Sequence, residues 1–399
     1  MRRVAITGIG HTIFGNLSDF DLVDVMAYAS ADALDDADIR KERKIIDQVI
    51  VANMGGGRLN HQAGIASSLV SRLDLEPAMA ELVENGPASG GSAIKVGFAT
   101  IMSGLADVVM VTGGEVMRTV PGWEGTDFVA SLLHPEAEYN YGLTLPAFGA
   151  MFTRMYMDRY GLTERDLAIL AVKDHENGEK NPFAHVRIPC TLEGIFDSPD
   201  ANVVNNYIAE PLRLYGMCPV SDGAASIIMC ATDSQKIKHF SKKKPVFIAG
   251  IGAATDTHCV HERKDPLELK AVKQSAEKAY RMAGISAKDV SFAELHDAFI
   301  ILEIAISEEV GFFERGKAKD AIAKGITRIS GKLPINTSGG LKAKGHPLGA
   351  TGVSQVHELV KQLRGEAEKG RQVKDPKYGM AVNFGGFGNN IVTTICSKE

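Results

Sequence analysis

Aromatic residues make up only 7% of the 399 positions, and Trp123 is the only tryptophan. Beside 41 glycines, so lean a supply suits the tight strand-to-helix turns of an α/β protein better than an all-β sandwich. Cysteine is scarce as well. Its five copies (Cys190, Cys218, Cys230, Cys259, Cys396) are odd in number and lack C-x-x-C spacing. They spell neither a disulfide framework nor a structural zinc site, and a reducing cytoplasm suits them. Basic charge shows no surplus: 44 Lys and Arg against 49 Asp and Glu leave a net charge of -5, which argues against nucleic acid and against anionic membrane surfaces. Apolar runs fall short of the roughly 20 residues of a membrane span, and the stretch Val4–Gly10 is too short and glycine-rich for a secretory core.

What is present is a balance of 45% hydrophobic and 23% charged residues, enough to bury sizeable cores. The chain also repeats itself. Val4-Ala5-Ile6-Thr7-Gly8-Ile9-Gly10 returns as Val246-Phe247-Ile248-Ala249-Gly250-Ile251-Gly252, and Asp47–Val51 returns at the same offset as Asp289–Ala293. Val109–Gly114 and Ala381–Gly386 form a third pair in the same order. Each half opens with a β-branched strand and continues through an amphipathic helix (Leu22–Leu34, Leu267–Ala283), a pattern of mainly parallel sheets covered by helices. The expected halves are residues 1–242 and 243–399. A segment of about 90 residues, 119–209, interrupts the first half as a lid. It carries Trp123 and the aromatics Tyr139, Tyr141, Phe148, Phe152 and Tyr156, whose helical spacing favours core over a binding platform.

The densest motif is Gly339-Gly340-Leu341-Lys342-Ala343-Lys344-Gly345-His346-Pro347-Leu348-Gly349-Ala350-Thr351-Gly352, ahead of a helical run from Val353 to Leu363. It places His346 at a helix N-terminus, where the dipole keeps an imidazole neutral. Spacing alone fits a loop histidine capping its own turn equally well. With His296-Asp297-Ala298-Phe299, Ser221-Asp222-Gly223-Ala224-Ala225 and Val83-Glu84-Asn85-Gly86-Pro87-Ala88-Ser89-Gly90-Gly91, this segment resembles the thiolases. The similarity is to the branch of sterol-carrier-protein-type thiolases and archaeal acetyl-CoA acetyltransferases, and it spans essentially the whole chain.

The resemblance implies an α/β thiolase fold, five layers (αβαβα) built from two duplicated halves with an inserted loop domain. It implies coenzyme A as substrate or product, an acyl-CoA ligand, a homodimer core, and a small zinc-ribbon/OB-fold partner subunit. No metal is expected in this chain. His296 and His346 are the implied catalytic pair, and Gly386 the implied oxyanion glycine.

One motif departs from the family. Its cysteine nucleophile falls at Pro87, which has neither a thiol nor an N–H for the oxyanion. Proline is tolerated at the first position of a helix, where Pro87 is expected. The family's second cysteine is missing from both Gln355-Val356-His357 and Asn383-Phe384-Gly385-Gly386. Ser89, Cys218 and His258-Cys259-Val260-His261 read as structural. The expected activity is cleavage or formation of a carbon-carbon bond in a branched or bulky 3-oxoacyl-CoA or 3-hydroxyacyl-CoA without an acyl-enzyme. Direct CoA thiolysis is favoured over retro-aldol cleavage. The alternative is a silent subunit that partners an active thiolase chain. Gly55–Gly57, Asn60, His61, Trp123 and Tyr141 are placed in the acyl pocket by the family topology.

Overall fold

The computed structural model describes residues 2–197, 205–241 and 243–398. The first half runs β1 (Val4–His11), α1 (Leu22–Asp36), β2 (Gln48–Ala52), the short α2 (Gly56–Leu59), α3 (Ile65–Arg72), β3 (Met79–Val83), α4 (Ser89–Ser103) and β4 (Val108–Glu115). The insertion follows, with α5 (Gly122–Ala130), α6 (Leu145–Tyr160), α7 (Glu164–Glu179), α8 (Leu192–Asp197) and a ribbon of β5 (Tyr207–Ala209) and β6 (Leu212–Arg213); β7 (Gly223–Ala231) then completes the half. The second half runs β8 (Val246–Thr255), α9 (Lys270–Ala283), β9 (Phe292–Glu294), α10 (Ile301–Glu309), α11 (Ala318–Ala323), α12 (Gly340–Lys344), α13 (Leu348–Arg364), β10 (Tyr378–Gly385) and β11 (Asn390–Ser397).

Strand order shows the duplication. The sheet reads β3-β2-β4-β7-β1-β8-β11-β10-β9, so β1 mirrors β8, β7 mirrors β11, β4 mirrors β10 and β2 mirrors β9. Pair directions match as well: β2 with β4 and β9 with β10 are parallel, while β4 with β7 and β10 with β11 are antiparallel, so the sheet is mixed and not mainly parallel as the alternation of strands and helices predicts. The halves join through a short antiparallel contact, Ala5 with Phe247 and Ile6 with Val246. β3 adds an exposed edge strand that has no counterpart among the described residues.

The repeated glycines have one steric purpose. A Cβ on Gly10 would lie 2.0 Å from the Ala29 carbonyl oxygen, and one on Gly252 1.9 Å from that of Ser275. Each therefore lets the backbone of α1 or α9 press against its strand. Helix α9 starts at Lys270 rather than Leu267, and Leu267 and Leu269 are buried ahead of it.

Helices α4 and α13 form the central layer. Ile94 and Ile101 of α4 and Val353, Val356 and Leu359 of α13 share one core with Val109 and Ile227 of the first half and Ile251 and Val392 of the second. Helices α1 and α3 cover the outer face of the first half, and α9 and α10 that of the second, which completes five layers. Caught between the two halves of the sheet, α13 is buried on nearly every side, and several of its polar groups find partners. Glu358 pairs with Arg371 at 2.6 Å, and Gln355 Nε2 donates to the Val382 carbonyl at 3.1 Å.

Candidate active site

Two loops from the second half deliver the histidines. His296 follows β9, and the Leu295 N–H donates to Asn336 Oδ1 at 2.8 Å. Asp297, its neighbour, accepts from the Leu341 and Lys342 N–H groups at 2.7 and 3.2 Å. The aspartate therefore clamps the start of α12 to the His296 loop. Past α12, Gly345 turns at φ +109°, and a Cβ there would meet Ser221 Oγ at 2.6 Å. His346 then precedes α13, which Pro347 caps.

The two rings meet edge to face, with centroids 4.8 Å apart and planes at 88°. His346 Nδ1 lies 2.7 Å from Thr351 Oγ1, and that hydroxyl donates to the Pro347 carbonyl at 2.9 Å. Its one proton is thus committed, so Nδ1 of His346 carries the donated proton and Nε2 keeps a lone pair. His296 stacks on Phe384 (5.7 Å, 23°), and its Nδ1 is buried without a hydrogen-bond partner among the described residues. Burial pushes His346 down to about 3; His296 is held well below its ordinary value by burial and then by His346. Both are neutral imidazoles at physiological pH. Burial accounts for this where the sequence pointed to a helix dipole.

The pair lines a cavity of about 150 Å³ together with Pro87, Gly386, Phe299, Phe384, Phe387 and Leu348, and Leu145 and Pro146 of the inserted segment close over it. Pro87 is not the first residue of a helix. The chain turns tightly between Asn85 and Ala88, with Gly86 at φ +55°, and α4 begins at Ser89 after the Ala88 cap. The turn is held from within: Ser89 Oγ donates to the Gly86 carbonyl at 2.6 Å and accepts from the Asn85 N–H at 2.8 Å. Asn383 Nδ2 donates to the Pro87 carbonyl at 3.0 Å, and Asn383 Oδ1 accepts from the Gly91 N–H at 2.8 Å. The asparagine thus fastens β10 to the Pro87 turn.

Cys218 also lines the cavity. Burial pushes its thiol up to about 12, so it stays protonated. Cys259 lies outside the cavity, in the stretch after β8. Of the residues placed in an acyl pocket, Trp123 and Tyr141 are instead 73% and 82% exposed. Gly55–Gly57, Asn60 and His61 are absent from the cavity lining, because the turn after β2 faces Glu115. Phe148, Phe152 and Tyr156 are buried core, as their spacing predicts. Beyond Gly386 the cavity adjoins an open groove of about 750 Å³ lined by Arg58, Asn85, His258, Asn389 and Asn390.

Three supporting residues escape a reading of motifs. Thr351 carried a signal, its spacing five residues after His346. Asp222 accepts from the Leu17, Met117 and Arg118 N–H groups at 2.9, 2.6 and 2.9 Å and so joins two loops to the strand β7. Glu115 is buried and accepts from Asn53 Nδ2 and from the Gly55, Met54 and Gly349 N–H groups at 2.7, 2.7, 3.1 and 3.0 Å.

The chain matches the family described as "Thiolase, N-terminal domain" over residues 4–233 and "Thiolase C-terminal domain-like" over 252–398. Acetyl-CoA acetyltransferase of Methanothermobacter thermautotrophicus is 37% identical over the full length of both chains. The benzoylsuccinyl-CoA thiolase subunit BbsB of Thauera aromatica is 29% identical, covering 96% of this chain and 95% of that one. Among solved structures, the Ltp2-ChsH2(DUF35) aldolase superposes with a TM-score of 0.81 at 26% identity, over 99% of this chain and 97% of that one. This protein is a member of the thiolase family, and its fold is the thiolase fold.

Proposed function

We propose that this chain makes or breaks a carbon-carbon bond in a branched or bulky 3-oxoacyl-CoA or 3-hydroxyacyl-CoA without forming an acyl-enzyme. One observation carries the reading: His296 and His346 meet edge to face in an apolar-walled cavity beside Pro87, where the resemblance puts the nucleophile, and the cavity's only thiol among the described residues is the protonated Cys218. In direct thiolysis His346 Nε2 takes the proton of the CoA thiol as sulfur attacks C3. The C2–C3 bond then breaks, its electron pair moves into the thioester enolate, an N–H of His296 steadies the enolate oxygen, and the His346 proton returns to C2. General acid-base help of this kind contributes roughly 10²- to 10⁴-fold. Developing negative charge on the enolate raises the basicity of the buried imidazoles when it is needed.

Retro-aldol cleavage uses the same two groups, with His346 removing the 3-hydroxyl proton, and the likeness to a solved aldolase supports it as a second reading. Thiolysis is preferred because both histidines of the thioester frame are kept. Apolar walls and the adjoining open groove suit a bulky acyl group. A homodimer fits the exposed edge of β3, with Met79 and Leu82 37% and 48% exposed. A zinc-ribbon/OB-fold partner fits the two-component name of the solved aldolase. A cytoplasmic location fits the unpaired cysteines; no helix among the described residues is long and apolar enough to cross a membrane.

The test is turnover by the purified chain, with and without a partner, on CoA and a panel of 3-oxoacyl and 3-hydroxyacyl thioesters. Product formation that falls at least 100-fold in His346→Ala is expected. Turnover that His346→Ala leaves unchanged, or none under any condition, contradicts the proposal, the latter in favour of a silent subunit.

A further inference from the structure

The run His258-Cys259-Val260-His261 lacks another donor nearby in sequence, but the fold supplies one from the inserted segment. A carboxylate oxygen of Glu138, the Cys259 sulfur and a His261 ring nitrogen all lie within 4.8 Å of one another. Backbone groups orient the carboxylate. The His134 N–H donates to Glu138 Oε2 at 2.9 Å, and the N–H of Val260, the residue between the cysteine and the histidine, donates to Oε1 at 3.1 Å. His261 Nδ1 stands 3.9 Å from Glu138 Oε1. That is too long for a hydrogen bond, yet near the roughly 3.4 Å that separates two ligands held at about 2.0–2.1 Å from a tetrahedral ion.

Charge and exposure agree with this geometry. A thiolate and a carboxylate supply two negative charges for a dication, and a sulfur, nitrogen and oxygen set selects zinc over magnesium or calcium. Glu138 and Cys259 are buried, whereas the His261 side chain is 60% exposed and opens a path to solvent. Arg263, a buried cation whose charge burial disfavours and Asp256 and then Glu138 favour, directs its Nε and Nη2 donors to the Thr257 carbonyl at 3.2 and 3.0 Å.

We propose that Glu138, Cys259 and His261 bind a zinc ion, with water as the fourth ligand, tying the inserted segment to the C-terminal half. Binding breaks the Cys259 S–H bond; the thiolate takes the ion and the proton leaves to solvent. The site is separate from the histidine pair and does not depend on the reaction proposed above.

Cobalt and zinc titrations of the full-length, metal-stripped protein test it. A thiolate-to-cobalt charge-transfer absorption is expected at one equivalent, displaced by zinc, absent in Cys259→Ser and weakened at least tenfold in His261→Ala. Zinc is also expected to raise the melting temperature of the wild type but not of Cys259→Ser. Either variant still melting cooperatively while the band persists unchanged, or no band in the wild type, overturns the proposal.

Discussion

The single proton of the Thr351 hydroxyl decides which nitrogen of His346 is free. Replacing Thr351 with valine leaves Nδ1–H buried without an acceptor, a loss of about 1–3 kcal/mol, equivalent to roughly 5- to 150-fold in the population of the active tautomer. Thr351→Val is expected to lower kcat by such a factor with KM little changed, and Thr351→Ser to recover most of it. Equal kcat in the valine and serine variants would show that the hydroxyl has no part in positioning the ring. The motifs singled out His296 and His346, and the fold brings the two rings together; the role proposed for them rests on the resemblance. Trp123 and Tyr141 were misplaced because a family topology carries a segment to the neighbourhood of a pocket and says nothing of the direction each side chain faces.

At the scale of elements, Glu115 is the pin. It closes β4 and accepts from the loop after β2 and from the first turn of α13, next to His346. Burial pushes its carboxyl up to about 7 despite four donors that favour the charged form. Its folded value thus lies above the unfolded one, near 4.3. Its contribution to stability is full below that unfolded value and declines as pH rises toward and through 7. Glu115→Gln cannot titrate, so its stability relative to the wild type is expected to improve between about pH 5 and 8, by up to roughly 3 kcal/mol. Denaturant unfolding at several pH values measures this, and a pH-independent difference would place the titration elsewhere. Helices and strands were readable from periodicity, but not the step from Pro87 through Ala88 to the start of α4 at Ser89. There a tight turn held by Ser89 displaces the helix start, and turn hydrogen bonds leave little trace in hydrophobic pattern.

Over the whole molecule, the internal repeat foretold the mirrored strand order because each glycine pair must admit a helix backbone at the same place in each half. That the halves fuse through Ala5, Ile6, Val246 and Phe247 was not legible, since two edge strands carry no record of their partner. Nor was the meeting of Glu138 with Cys259, which depends on how the insertion folds back. The same folding-back brings Leu145 and Pro146 against two imidazoles and a proline, and on that arrangement rests the proposed reaction with no covalent intermediate. Rapid acid quenching during turnover, followed by intact-protein and peptide mass spectrometry, tests this most directly. Products should accumulate while the polypeptide keeps its unmodified mass at every time point; an acyl group bonded to Cys218 or any other residue at a kinetically competent rate would contradict the account.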